Sequence, residues 1–429
     1  MSNANFLKKL LDGVAVEWKP VSEIFHLRNG YTPSKSNNEY WKDGTIPWFR
    51  MEDIRENGQI LSDSLQKVSV RALKGGKLFP ANSIIVATSA TIGEHALVTI
   101  PFLANQRFTC LTLRPDYIKT FDIKFIFYYC YLLAEWCKKN TTTSSFASVD
   151  MDGFRKFEIP IPCPGNSKKS LEIQGEIARI LDTLTELTAE LTAELTAELT
   201  ARKKQYNHYR DRLLSFEEGD VEWKALGKIG EFIRGKRFTK ADFVEDGIPV
   251  IHYGEIYTRY GVFADHAYSR VKRELASSLR YAKPGDVVIV GVGETIEDVG
   301  KAVAWIGPEQ IAIHDDSYAF RHAMNPKFVS YLMQTTAFIN EKAKHVSSGK
   351  VNRLLINGMQ KVKIPVPFPN DPERSLAEQS RIVDILDKFN ALTSSLTEGL
   401  PREIELRQKQ FTHYRDLLLS FPKPEEVEA

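Results

Sequence analysis

Residues Leu187 to Arg202 carry a four-residue unit, Thr-Ala-Glu-Leu, three times in tandem at Thr188–Leu191, Thr192–Leu195 and Thr196–Leu199. Ala, Glu and Leu are strong helix formers, and Gly175 is the only Gly or Pro in the run up to Phe216. Leucines at 184, 187, 191, 195 and 199 step by three, four, four and four, which keeps an apolar stripe on one face of a nearly straight helix. A helix from about Ser170 to Ser215 is roughly 70 Å long at about 1.5 Å per residue. Such a rod cannot fold into a compact core on its own, so the stripe requires a partner. The spacing reads as a measured spacer rather than a solvated filler helix.

The partner is expected in the same chain, because the sequence is a tandem duplication. Ser170/Ser375, Gln174/Gln379, Ile180/Ile385, Leu181/Leu386 and Asp182/Asp387 all differ by 205 positions. The same offset relates Arg202–Asp211 to Arg407–Asp416, Val16-Glu-Trp18 to Val221-Glu-Trp223, and Ile159-Pro-Ile-Pro162 to Ile364-Pro-Val-Pro367. Between these anchors the two halves share only a skeleton. Strands are expected at Ile46–Phe49, Ser83–Ala87 and Phe108–Leu113, then a helix over Phe121–Lys139, a polar run Asn140–Ser145, and an exit strand at Lys156–Ile161. The second half repeats the order with Ile248–Ile251, Asp286–Val290, a helix over Phe328–Ala343, a polar run Ser347–Lys350 and an exit strand within Lys361–Pro369. A short helix end is expected at Phe6–Leu11, and Gly399-Leu-Pro401 predicts a kink or break in the second long helix. The expected segments are 1–160 and 217–365 for two globular domains, with 161–216 and 366–429 for the long helices.

Composition leaves few classes open. With 429 residues, 43% hydrophobic and 26% charged, the chain suits two or three ordinary domains. A net charge of +2 neither demands nor excludes nucleic acid. The four cysteines, Cys110, Cys130, Cys137 and Cys163, all lie in the first half without a C-x-x-C pair, so reduced thiols fit better than a disulfide framework or zinc site. The polar, lysine-bearing start has no signal-peptide pattern, and the most apolar run, Phe125–Ala134, is too short to span a bilayer. A soluble, cytoplasmic protein with no membrane partner is expected.

Catalytic signatures are absent. Gly235-Lys236, Gly300-Lys301 and Gly349-Lys350 lack phosphate-loop spacing, and Gly291-Val-Gly293 lacks a third glycine. Asn325-Pro326 is followed by Lys327, so the aminomethyltransferase motif is missing, and the nine histidines form no H-E-x-x-H. His208 and His413 occupy equivalent helix positions suited to packing or surface roles. Asp315-Asp316 has the chemistry for a metal but no equivalent pair in the first half, which favours a solvated or base-accepting role.

What remains suits DNA. Arg50, Glu52, Asp53 and Arg55 follow the Ile-Pro-Trp strand, and Gln106 and Arg107 follow Asn105; Gln pairs bidentately with adenine and Arg with guanine. Lys236, Arg237, His252, Tyr253, Tyr257 and Arg259 occupy the corresponding region of the second half. Ser347, Lys350, Asn352 and Arg353, with Ser348, have the composition of a phosphate-contacting loop. The competing readings are a coiled-coil scaffold whose two heads bind ligands or proteins without DNA, and an enzyme with an unrecognised site.

The duplicated Ile-Pro-x-Pro exits, the Ile-Leu-Asp helices, the paired His-Tyr-Arg-Asp-x-Leu-Leu-Ser-Phe ends and the Thr-Ala-Glu-Leu units together resemble the DNA specificity subunit of type I restriction-modification systems, of the type IC subfamily. The resemblance spans essentially the whole chain. It implies an α+β fold: two mixed α/β target recognition domains, separated by two long antiparallel helices that form a coiled-coil spacer, with an internal pseudo-twofold repeat. It implies double-stranded DNA as ligand, each domain reading half of a split site across a fixed gap. It also implies two methyltransferase (modification) subunits and restriction subunits as partners, which supply S-adenosylmethionine and ATP chemistry. The chain itself then needs no cofactor, no metal and no catalytic residue.

Overall fold

The computed structural model describes residues 13, 15–142, 147–216 and 221–423, with only the backbone at 393–398. The helix end expected at Phe6–Leu11, and the last three residues of the polar run ending at Ser145, lie outside the described residues. The chain divides into two compact units, Met1–Glu194 with Glu403–Ala429, and Leu195–Arg402. Both are mixed α/β and repeat one plan.

In the first unit a five-stranded sheet runs in the order Phe25–Asn29, Phe108–Leu113, Ser83–Ala87, His95–Val98, Ile60–Leu61. In the second the order is Gly230–Arg234, Ser317–His322, Val287–Val290, Ala302–Trp305, Phe263–Ala264. The central strands are largely apolar because both faces are covered, and strand periodicity assigns alternate residues to different cores. Ile84 and Val86 join the core built on helix Ile123–Lys139, whereas Ile85 and Ala87 join Phe49, Phe79 and Phe102. Val287 and Ile289 divide from Val288 and Val290 in the same way. The chain enters and leaves the globular part of each unit through one antiparallel ribbon, Val16–Pro20 with Glu158–Pro162 and Val221–Ala225 with Lys363–Pro367.

The 205-residue repeat has a physical cause: its members fasten each globular domain to the long helix that follows it. Gln174 accepts from the Asp122 N–H at 2.9 Å, and its amide donates to Ser170 Oγ at 3.0 Å. Gln379 does the same with Asn325 N–H, 2.8 Å, and Ser375, 3.0 Å. Asp182 accepts from the Tyr128 hydroxyl at 2.8 Å and Lys124 at 2.6 Å; Asp387 accepts from Tyr331 and Lys327, both at 2.8 Å. Asp122 and Asn325 in turn cap the helices that carry those partners. Gln174 and Gln379 are almost fully buried, so their amides had to be satisfied internally.

The two long helices, Ser167–Leu213 and Pro372–Leu418, have 47 residues each, about 70 Å. Each unit's core is closed by the start of one and the end of the other: Ile173, Ile177 and Leu181 with Leu418, Leu419 and Phe421, and Ile382, Val383 and Leu386 with Leu214. In the second unit Tyr209 stacks on Phe389 at 5.8 Å. Leu184, Leu191, Leu195 and Leu199 are half-buried, but Leu187 is 58% exposed and Thr188 takes its place in the stripe. The second helix runs without interruption through Pro401, so the expected break does not occur there. The single helix expected over Phe328–Ala343 is instead two, Pro326–Leu332 and Thr336–Ala343. Thr335 Oγ1 caps the second by accepting from Phe338 N–H at 3.2 Å while donating to Leu332 O at 2.7 Å.

His95 lies in the first core, edge-on to Tyr131 at 4.6 Å, with Nε2 buried and unpartnered. Burial holds its pKa down at about 4 against an ordinary 6.5. The folded state therefore keeps His95 neutral where the unfolded chain takes up a proton. Stability from this residue is complete above pH 6.5 and is lost as pH falls towards 4, by about 2 kcal/mol at pH 5. Urea unfolding at pH 7 and pH 5 should show that loss in the first unit's transition, and His95→Gln should reduce it; an unchanged pH slope in the variant would refute it.

Candidate nucleic-acid interface

Three segments hold the candidate residues, the first two at corresponding places in both units and the third described in the second unit. The first is the turn from strand Ile46–Phe49 into helix Met51–Asn57, matched by Ile248–Ile251 and Tyr253–Thr258. Asp53 requires correction as a DNA contact. It is fully buried, and its two oxygens accept from the Arg50 and Leu65 N–H groups, both at 2.6 Å. Burial raises its pKa in spite of those donors. Glu255 is its counterpart, accepting from His252 N–H at 3.0 Å and Ser269 Oγ at 2.6 Å. Both carboxylates shape a helix start.

Around Asp53, Arg50 is half-buried with its guanidinium 5.6 Å from the Trp48 ring, and Glu52 is exposed. Arg55 is exposed, 3.7 Å from Glu94. In the second unit His252 caps the helix, its Nδ1 accepting from Gly254 N–H at 3.1 Å, and its ring lies 4.4 Å from Tyr253 and 4.9 Å from His314. Burial, then the charge of His314, lowers the His252 pKa. The Tyr257 hydroxyl donates to Val292 O at 2.5 Å, so it is already engaged within the domain. Arg259 sits at the other end of that short helix, 5.5 Å from the Tyr268 ring.

The second segment is the turn before the strand Phe108–Leu113 or Ser317–His322. Asn105 Oδ1 accepts from Arg107 N–H at 3.0 Å; His314 Nδ1 accepts from Asp316 N–H at 3.2 Å. Arg107 O receives Thr88 N–H at 3.0 Å, as Asp316 O receives Gly291 N–H at 2.7 Å. A Cβ on Gly30 would lie 2.2 Å from Asn105 O, and one on Gly235 2.1 Å from His314 O, so both approaching strands need glycine. These three correspondences make Asn105-Gln106-Arg107 and His314-Asp315-Asp316 one turn in two chemistries. Gln106 and Arg107 are exposed, and Gln106 Oε1 accepts from the Thr32 hydroxyl. Lys236 and Arg237, also exposed, follow Gly235 beside this turn, with Lys236 N–H donating to Ile313 O at 3.1 Å.

The third segment is the polar loop. Ser347 and Arg353 exchange backbone hydrogen bonds at 2.8 and 3.0 Å, with Lys350 exposed at the tip. Asn352 Nδ2 donates to Glu294 O at 2.8 Å. Arg353 lies 3.8 Å from Asp316, which joins this loop to the turn. Together they border a cleft of about 570 Å³ lined by Tyr253, Tyr257, Glu294, Lys301, Asp316 and Arg353. The sequence reading missed His314, Glu294 and Lys301 here. The adjacent acidic pair Asp315-Asp316 was the available signal, obscured because its first-half equivalent is Gln106-Arg107 rather than another acidic pair.

His314, Asp315 and Asp316 hold their donor atoms within 4.8 Å of one another, the one such group among the described residues. The Nδ1 lone pair that would bind a cation already accepts the Asp316 N–H, so the arrangement suits a hydrogen-bonding turn better than a metal site. Among the described residues no helix is long and apolar enough to cross a membrane.

The family model for the type I restriction modification DNA specificity domain matches twice, over residues 14–201 and 218–406. The chain is 49% identical over 407 residues to the type I restriction enzyme EcoprrI specificity subunit of Escherichia coli, covering 93% of both chains. It is 37% identical to the EcoR124I/EcoR124II specificity subunit of Escherichia coli, covering all of both. Its fold is similar to a chain from a structure concerned with complex assembly and conformational transition of the type I R-M system, at TM-score 0.68 and 16% identity, covering 94% of this chain and 97% of that one. Two family matches in tandem reproduce the internal repeat, and the chain belongs to the DNA specificity subunits of type I restriction-modification systems, the non-catalytic members that recognise DNA by sequence.

Proposed function

We propose that the chain reads a bipartite site, one half by residues 1–160 and the other by 217–365, across a gap set by the long helices of 161–216 and 366–429. The observation that carries this reading is a frame repeated residue for residue with different side chains at equivalent turns. One scaffold then presents two reading surfaces. The exposed and half-exposed residues of the three segments would contact the duplex, Arg50, Glu52, Arg55, Gln106 and Arg107 in one half, and Lys236, Arg237, His252, Tyr253, Tyr257, Arg259, Ser347, Lys350, Asn352 and Arg353 in the other.

The partners of this reading are two methyltransferase subunits, which modify adenine, together with restriction subunits, in the cytoplasm and away from membranes. The Thr-Ala-Glu-Leu units support placement in the type IC subfamily. Exchanging residues 18–160 for the corresponding domain of another member, followed by mapping of methylated adenines across a genome, tests the division of labour. One half-site should change and the other stay. A change in both halves, or in neither, would overturn it.

A further inference from the structure

The equivalent turns carry opposite hydrogen-bonding character. In the first unit Gln106 and Arg107 offer an amide and a guanidinium; in the second, Asp315 and Asp316 offer carboxylates, which when ionised only accept. Asp316 is not alone. Arg353 stands 3.8 Å from it, both line the same cleft, and the Arg353 side chain is 53% exposed. An ion pair so long and so exposed is weak and cheap to open. The Asp316 backbone is fixed at both ends, by its N–H on His314 and by its O on Gly291 N–H. Both backbones are therefore held, that of Arg353 by its exchange with Ser347, while the long, exposed ion pair leaves the two side chains able to part.

In the major groove cytosine presents a lone donor, its 4-amino group, and guanine presents two acceptors, O6 and N7. A carboxylate beside a guanidinium complements that edge. Against an A·T pair in the same orientation the carboxylate would face thymine O4, an acceptor, and the guanidinium would meet the adenine 6-amino group, a donor, in place of guanine O6. We infer that Asp316 and Arg353 together read one G·C pair in the half-site of the second domain, Asp316 accepting from the cytosine amino group and Arg353 donating to guanine. This rests on the DNA-reading function above and goes beyond it by naming the base pair and its readers.

The experiment measures binding of the assembled methyltransferase complex to duplexes in which each base pair of the half-sites is replaced in turn. Asp316→Asn and Arg353→Gln should each relax discrimination at one and the same G·C pair of the second half-site, about tenfold or more, and leave the first half-site unchanged. Relaxation at different pairs, or an unaltered ranking at every pair, would overturn the inference. An arm with the unaltered protein guards against variants that fail to fold. Duplexes whose cytosines lack the 4-amino group, one at a time, should show one second-half position with the same loss, and the absence of any such position would overturn the inference. If the parent complex shows no sequence preference at all, the DNA-reading function itself fails, a separate result.

Discussion

Deleting one Thr-Ala-Glu-Leu unit, residues 192–195, should shorten the preferred gap between half-sites by one base pair and reduce methylation at the original gap by on the order of 100-fold. Four helical residues add about 6 Å of rise and about 400° of rotation, a net of about 40°. One base pair adds about 3.4 Å and roughly 35° of twist. The rotation matches one base pair; the rise exceeds it, and tilt would have to absorb the difference. The deletion leaves the helix in phase to within that small angle, because four residues exceed one turn only slightly. A three-residue deletion leaves a net of about −60° and should abolish methylation at every gap. Assays on sites with graded gaps decide this, and an unchanged optimum after deletion of one unit would end the ruler idea.

Asp387→Ala should loosen the second reading domain from its helix. Asp387 receives the hydroxyl of Tyr331, itself fully buried, and the ammonium of Lys327, both at 2.8 Å. Removal leaves a buried hydroxyl without its acceptor, which costs about 1–3 kcal/mol, while the half-exposed Lys327 recovers water and adds little. For a unit of this size the loss corresponds to roughly 3–10 °C of melting temperature. Asp182→Ala should act likewise on the first unit, where Tyr128 and Lys124 are the equivalents. Calorimetry with separate transitions checks both. A drop confined to the wrong unit, or none, would show that the repeated aspartates do not fasten domain to helix. Asp387→Asn retains an acceptor and should cost less.

Much of the frame was legible in the chain because its parts are periodic or repeated. Buried strands such as Ser83–Ala87 and Phe108–Leu113 are short, mostly apolar runs rich in β-formers, and the structure places them as read. The leucine stripe required a long helix, and one of 47 residues is present. Propensity misled at Phe328–Ala343, where Thr335 caps a second helix inside an apolar stretch. The chain also stays helical through Pro401, because a missing N–H need not end a helix that is held elsewhere along its length. Asp53 looked like a charge on a reading loop, and only its two backbone donors show it to be a buried brace.

The sequence by itself determined that there are two copies of one plan, since Ser170, Gln174 and Asp182 recur at a constant offset of 205. Those residues must be identical because each satisfies a specific buried or half-buried partner. The tertiary structure alone decided which unlike residues are equivalent. Asn105 matches His314 at an offset of 209, and Thr88 matches Gly291 at 203, because loops of different length separate the fixed strands. A turn needs only some side-chain acceptor for the N–H two residues on, which Asn Oδ1 and His Nδ1 supply equally well. The backbone is thereby conserved while the neighbouring positions are free to carry Gln and Arg in one half and two aspartates in the other.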